Sequence, residues 1–184
     1  LFAGCEEKKN LLAELLAIAG VREAMYLTTC NRVEILAVID GCEGAERNLC
    51  AYPGKVGSLT TPETEKCLYV HREEAAVRHL FRVASSLDSM IMGEAQILGQ
   101  VKEAYRRALE AHATGAVMNR LLHRAFRTAK RVRTETAIAA NPVSVSFAAV
   151  ELAKKIFGEL NGKKVLLIGA GEMAELTATH LLDK

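Results

Sequence analysis

No run of eighteen apolar residues occurs in the 184-residue chain, so the sequence offers no membrane-spanning helix. The opening stretch, LFAGCEEKKN, lacks a basic segment followed by an apolar one, so no secretory signal is read there. No C-x-x-C pair is present, and the five cysteines (Cys5, Cys30, Cys42, Cys50 and Cys67) are an odd number. That argues against a disulfide framework and against a zinc knuckle. The five histidines, His71, His79, His112, His123 and His180, show no ligand spacing with the cysteines, so no metal site is read. Together these absences point to a reducing cytoplasm. Excess charge is also missing: the net charge is +2, so any nucleic-acid contact must come from a local patch. Neither an internal repeat nor a low-complexity segment appears. The first residue is Leu and the last residues sit inside a helical pattern, so the chain reads as a piece cut at both ends.

Half of the residues are hydrophobic, enough for a sizeable core. Residues 6–19 have amphipathic helical spacing, closed by Gly20. Ala24–Leu27 and Val33–Ile39 read as paired strands. Residues 51–66, with Pro53, Gly54, Gly57 and Pro62, read as a loop-rich stretch, and CLYV (67–70) as a short strand. From Glu73, the positions Ala76, Val77, Leu80, Phe81 and Ala84 repeat at helical spacing. SSLDSMIMGEAQILGQ interrupts that helix, and a second one runs from about Gln96 to His112. A third spans 117–136, Pro142 marks a boundary, and Ser144 to about Phe157 is helical again. The expected architecture is an α+β domain over residues 1–139 followed by an incomplete α/β unit over residues 140–184. Leu27, Ile35, Leu80, Phe81, Leu98 and Leu122 are its expected core.

The last unit carries VLLIGAGEMA, an apolar strand (Val165–Ile168) followed by Gly169, Gly171 and Ala174. This is G-x-G-x-x-A between a strand and a helix, the arrangement of a Rossmann-type dinucleotide turn. The first glycine serves the tight turn, the second close approach of backbone to a pyrophosphate, and the helix N-terminus supplies N–H donors. The residue that separates NAD from NADP belongs on a following strand outside the sequence. In the helix from Val117, Arg120, Arg124, Arg127 and Arg131 step by four, three and four and share a face, with Lys130 and Arg133 beside them. That stripe fits either a phosphate-binding surface or a solvated helix face.

Between the paired strands lie Thr28, Thr29, Cys30, Asn31 and Arg32, without the Gly or Pro of an ordinary hairpin turn. A cysteine there is accessible, and Arg32 favours its thiolate. Cys5, Cys42, Cys50 and Cys67 are expected to be buried structural cysteines. TTCNRVEI, HLFRVASSLDSMIMGEAQILGQVKEAY, AKRVRTET and VLLIGAGEMAEL, in this order over almost the whole chain, together resemble the glutamyl-tRNA reductase family, which opens the C5 route to tetrapyrroles.

The resemblance implies that a cysteine thiolate attacks the ester joining glutamate to tRNA. The resulting thioester is then reduced with NADPH to glutamate-1-semialdehyde. Cys30 matches the nucleophile and His79 a histidine able to orient or protonate the leaving ribose oxygen. Thr29, Asn31 and Arg32 match the glutamyl-binding loop, with Arg32 read as a partner of the substrate α-carboxylate. Ser89, Glu94, Gln96 and Gln100 match further substrate positions, Glu94 as a partner of the substrate ammonium. Gly169, Ala170, Gly171, Glu172, Met173 and Ala174 match the NADP loop. Asp88 also matches a family position, but helix capping accounts for it. Ala95 stands where the family usually has proline. Implied partners are glutamyl-tRNA, the aminomutase that consumes the semialdehyde, and a second subunit joined through a C-terminal domain outside this sequence. Two other readings stand beside this one: a non-catalytic tRNA-binding relative, and another dehydrogenase with a shikimate-dehydrogenase-like nucleotide domain.

Overall fold

The computed structural model describes residues 11–29, 31–42, 44–57, 60–89, 92–94, 96–139 and 145–182. In order these form α1 (Leu11–Leu16), β1 (Val21–Thr28), β2 (Val33–Ile39), α2 (Ala45–Gly57) and α3 (Thr61–Cys67). Then come α4 (Glu73–Ala84), α5 (Gln96–Glu110), α6 (Ala116–Glu135), a 3₁₀ turn (Ala137–Ala139), α7 (Val145–Phe157) and α8 (Glu172–Leu182).

The hairpin organises the first unit. β1 and β2 pair antiparallel, from Val21 opposite Ile39 to Thr28 opposite Val33. Side chains alternate across a strand, so the two faces carry different sets. Met25, Leu27, Leu36 and Val38 join the main core with Leu80, Val83, Leu98, Val101, Met118 and Leu122. Ala24, Tyr26, Ile35 and Ala37 face a second cluster with Leu11, Leu15 and Tyr52. The small sheet is thus covered on both faces, by α4, α5 and α6 on one side and α1 and α2 on the other. Of the expected core residues, Leu27, Leu80, Leu98 and Leu122 are buried, while Ile35 and Phe81 are partly buried against the clusters.

A register shift between Val21 and Glu23 breaks the alternation at the start of β1. It turns the Glu23 side chain inward, where its carboxylate accepts from the Met118 N–H (2.8 Å) and the Val117 N–H (3.2 Å). Gly115, the N-cap of α6, has no side chain to do this. Glu23 is a cap supplied from a distant strand, satisfying N–H groups that have no intrahelical partner.

Several expectations need correction. Residues 51–57 and 61–66 are helical rather than loop-rich. Gly54 is a packing glycine: a Cβ there would lie 2.3 Å from Thr64 Oγ1, so its absence lets α2 and α3 approach. Pro62 lies in the first turn of α3, where a missing N–H costs nothing, and the Thr60 N–H donates to Glu63 Oε2 (2.9 Å). Residues 68–70 form no strand; Cys67 ends α3 instead. Cys42 and Cys67 are exposed and Cys50 is only partly buried, against the expectation of buried cysteines; Cys5 lies outside the described residues.

Val165–Ile168 is not a strand either. A strand needs a backbone neighbour, and none stands beside this segment among the described residues. Leu166 and Ile168 are 83% and 92% exposed. α7 packs on α8, with Val150 buried and Ser146 Oγ donating to the Met173 carbonyl (3.1 Å). The expected boundary near residue 140 falls within 140–144, outside the described residues.

Candidate active site

The hairpin loop makes its turn with a side chain. Thr29 Oγ1 accepts from the Asn31 N–H (3.2 Å) and the Arg32 N–H (3.1 Å), and the Thr29 N–H donates to the Arg32 carbonyl (2.9 Å). A hydroxyl that caps the amides two and three residues on replaces the turn that Gly or Pro would otherwise set. Cys30 lies outside the described residues, as does Ala95; the structure describes the frame on either side of each.

Arg32 leads from the loop into a charged cluster. Its Nη1 lies 3.0 Å from Glu34 Oε1 and 3.2 Å from Asp88 Oδ2, and its Nη2 donates to the Asp88 carbonyl. Glu34 Oε1 also accepts from the Tyr69 hydroxyl (2.5 Å) and lies 2.9 Å from His79 Nε2. His79 Nδ1 lies 3.4 Å from Asp88 Oδ2, so both ring nitrogens face carboxylate oxygens. The side chains of Arg32, Glu34 and His79 are 14%, 15% and 17% exposed, which makes this cluster partly desolvated and its pairing worth more than a surface pair.

Burial alone would raise the Glu34 carboxyl. Hydrogen bonds from His79 and Tyr69, with the charges of His79 and Arg32, outweigh it and hold the group below the usual glutamate range. Burial and then the bond to Glu34 push the Tyr69 phenol up. Burial works against the Arg32 guanidinium, but Glu34 and Asp88 raise its pKa above the ordinary value. Its charge is therefore already balanced by two carboxylates.

These residues open on a cavity of about 870 Å³, whose walls include Asn31, Arg32, Tyr69, His71, Arg78 and His79. Asn31, Arg32 and His79, expected from the sequence, line it together, while Thr29 does not line it and holds the Asn31 and Arg32 amides. Ser89 follows Asp88 directly, whereas Glu94 precedes α5 and Gln96 and Gln100 lie on it, and none of these four lines the cavity. Sequence reading missed Glu34 and Tyr69, and assigned Asp88 to helix capping. Glu34 had one available signal, a carboxylate inside the otherwise apolar VEILAVI strand. Asp88 is not the helix cap it was read as. α4 ends with Ser86 in the left-handed region (φ +60°) and the Leu87 N–H returning to the Arg82 carbonyl (2.9 Å). That turn brings Asp88 back onto Arg32 and His79.

Gly169 to Ala174 lie in the second unit. Gly169 has φ +118°, a conformation suited to glycine, and no atom lies within 4 Å of where a Gly171 Cβ would be. Together with the N-terminus of α8 this turn fits a pyrophosphate group. On α6, Arg120, Arg124, Arg127 and Arg131 are exposed, and Arg131 pairs with Glu135 (2.9 Å). Among the described residues no helix is long and apolar enough to cross a membrane, and no cluster could hold a metal ion.

A sequence profile described as the N-terminal domain of glutamyl-tRNAGlu reductase matches residues 1–136. The chain belongs to the glutamyl-tRNA reductase family. A second profile, shikimate / quinate 5-dehydrogenase, matches residues 151–184, which places the glycine turn in a dehydrogenase-like nucleotide-binding region. Similar proteins include the glutamyl-tRNA reductase of Syntrophus aciditrophicus, 58% identical over 98% of this chain and 43% of its own length. That of Geobacter sulfurreducens is 54% identical over 99% of the chain and 42% of its length. The solved glutamyl-tRNA reductase from Methanopyrus kandleri aligns with a TM-score of 0.63 at 38% identity, over 95% of this chain and 40% of that one. The chain therefore spans about two fifths of the length of these relatives.

Proposed function

We propose that this chain forms the acyl-transfer part of an enzyme that reduces glutamyl-tRNA to glutamate-1-semialdehyde, the first step of tetrapyrrole synthesis. The observation that carries the reading is the single cavity onto which the Cys30-bearing loop, through Asn31 and Arg32, and the His79 ring both open. The Cys30 thiolate adds to the ester carbonyl. The tetrahedral adduct collapses with loss of the ribose oxygen, which takes a proton from His79, and a glutamyl thioester remains on Cys30. Glu34 and Asp88 orient the imidazole from either side.

Arg32 takes a narrower role than the sequence implied. The α-carboxyl of glutamyl-tRNA is the esterified group, so the only free substrate carboxylate is that of the side chain. Arg32 lines the cavity while tied to Glu34 and Asp88, so it braces the network and turns its remaining N–H groups toward that side-chain carboxylate. Thr29 sets the loop around the nucleophile. Ser89, Glu94, Gln96 and Gln100 remain candidates for substrate contacts that would form as the site closes. Residues Gly169 to Ala174 would hold NADPH, which supplies the hydride that reduces the thioester. A second subunit and the aminomutase that takes up the aldehyde are partners consistent with this reaction.

The test is acylation without reduction. Glutamyl-tRNA labelled in the glutamate, mixed with the protein in the absence of NADPH, should leave label on the protein as an adduct released by hydroxylamine. Cys30→Ser should abolish it, because a serine hydroxyl is far less ionised at neutral pH. Replacement of Gly171 by a bulky residue should not. Equal labelling of folded wild type and Cys30→Ser would remove Cys30 from the mechanism.

A further inference from the structure

Asp88 reaches the charged cluster from a loop that is closed at its base. Ser86 is buried and sits in the left-handed region (φ +60°), a conformation that a serine keeps only where its neighbours hold it. Those neighbours come from the far end of the same loop. The Gly93 N–H donates to the Ser86 carbonyl (3.0 Å), and the Ser86 hydroxyl donates to the Glu94 carbonyl (2.7 Å). Just past this clasp, Asp88 places Oδ2 3.2 Å from Arg32 Nη1 and 3.4 Å from His79 Nδ1.

The clasp rests on another part of the chain. Gly93 is buried, with φ +88°, and a Cβ there would lie 2.2 Å from the Ile138 carbonyl oxygen and 3.3 Å from the Ile138 carbonyl carbon. Backbone meets backbone at this point, which a residue with a side chain would prevent. Ile138 belongs to the 3₁₀ turn Ala137–Ala139, from which the chain runs on to α7 and the glycine turn. A hydroxyl holds that turn: Thr136 Oγ1 accepts from the Ile138 N–H (3.3 Å) and donates to the Val132 carbonyl in the last turn of α6 (2.6 Å). None of Ser86, Gly93, Thr136 and Ile138 lines the cavity.

We infer that Ile138 is a positioning residue for the acyl-transfer site: its carbonyl, fixed by Thr136, seats the Gly93–Ser86 clasp, and the clasp holds Asp88 against His79. The segment that joins the two units thereby sets the orientation of the imidazole in the first. The Asp88 carboxylate is 38% exposed and shares one oxygen between Arg32 and His79, so a small shift of the loop lengthens both contacts at once. Hydrogen bonds weaken steeply with distance and angle, which makes the ring sensitive to the seat. The inference rests on reading His79 as the group that protonates the leaving oxygen; Ile138, Gly93 and Asp88 act on the reaction only through that ring.

The experiment loosens the seat without touching the site. Thr136 is exposed; Thr136→Val keeps its shape and removes the hydroxyl, whereas Thr136→Ser keeps the hydroxyl. In the full chain carrying isotope-labelled histidine, the His79 ring nitrogen signals, assigned by their loss in His79→Gln, should shift in Thr136→Val and return to their wild-type positions in Thr136→Ser. Acylation of Cys30 by glutamyl-tRNA without NADPH should slow about tenfold at saturation in Thr136→Val, with the half-saturating concentration unchanged, because the acid is misplaced while the substrate contacts remain. In an Asp88→Ala background the same change should slow the reaction no further, since its effect runs through Asp88. Unmoved His79 signals in folded Thr136→Val would overturn the inference. Equal rate losses with and without Asp88 would overturn it too, because they would mean that Thr136 only supports the fold. If the wild-type chain never acylates Cys30, the proposed reaction fails, while a His79 shift in Thr136→Val that Thr136→Ser reverses keeps the positioning contact.

Discussion

The cap that Glu23 places on α6 can be tested against a neighbouring glycine. Glu23→Ala removes a buried carboxylate and leaves the Val117 and Met118 N–H groups without an acceptor, the Met118 group in a buried place that water reaches poorly. Hydrogen bonds to charged groups contribute ~1.5–3 kcal/mol each, and a charge at a partly buried helix end up to ~2 kcal/mol. Those terms overlap, so the expected loss is about 2–4 kcal/mol. Gly115→Ala attacks the same contact from the other side. Gly115 has φ −129° and ψ −157°, an extended conformation that alanine adopts without strain. Its Cβ, however, would lie 2.6 Å from Glu23 Oε1 and 2.9 Å from Glu23 Cδ. The carboxylate must move and weaken its bond to Met118, a cost of about 1–3 kcal/mol by analogy with overpacked cores. In the Glu23→Ala background that clash is gone, and Gly115→Ala should cost only the modest preference of an N-cap for glycine over alanine. Urea unfolding of the four proteins reads the coupling, expected at about 1–3 kcal/mol. Additivity within about 0.5 kcal/mol would refute the argument, because two changes at one contact cannot be independent.

The Glu34 carboxyl is held below its ordinary range in the folded protein, so it takes up a proton on unfolding and its contribution is full above that range. Stability should fall with pH as acid passes through the lowered folded value, and Glu34→Gln should flatten this part of the profile of urea midpoint against pH. On the proposed reaction, Arg32→Lys should slow acylation of Cys30 by glutamyl-tRNA more than tenfold, because a lysine cannot hold Glu34, Asp88 and a substrate carboxylate with one planar group; an unchanged rate would dismiss the role. Gly93→Ala should destabilise by about 2–4 kcal/mol: Gly93 has φ +88°, and a Cβ would lie 2.2 Å from the Ile138 carbonyl oxygen. An unaltered melting temperature would show that Gly93 is not pinned against Ile138. Thr29→Val should lower the rate of Cys30 acylation with little change in melting temperature, since it removes the acceptor for one exposed and one partly buried loop amide.

What the sequence determined by itself was local or periodic. Helical spacing placed α4, α5, α6 and α7 to within a few residues, because burial of one face imposes its period on the chain whatever the partner. The paired strands on either side of residues 29–32 and the glycine turn at Gly169 were equally legible, since each is carried by adjacent residues. Glycine and proline misled where packing overrode their turn preference: Gly54 permits a helix contact with Thr64, and Pro62 opens a helix. CLYV and VLLI read as strands from composition, but a strand exists only with a neighbour to pair with, and composition carries no information about that neighbour. The tertiary structure alone assembled the site. Glu34, Tyr69, His79 and Asp88 come from a strand, a connection, a helix and the turn after it, and no sequence period links them. Only folding brings their charges within 3.5 Å of one another, and only that proximity sets the direction in which Glu34 titrates and fixes Arg32 as a braced cation rather than a free one. Electrostatic and hydrogen-bond energies depend on distance in space, whereas a sequence records distance along the chain.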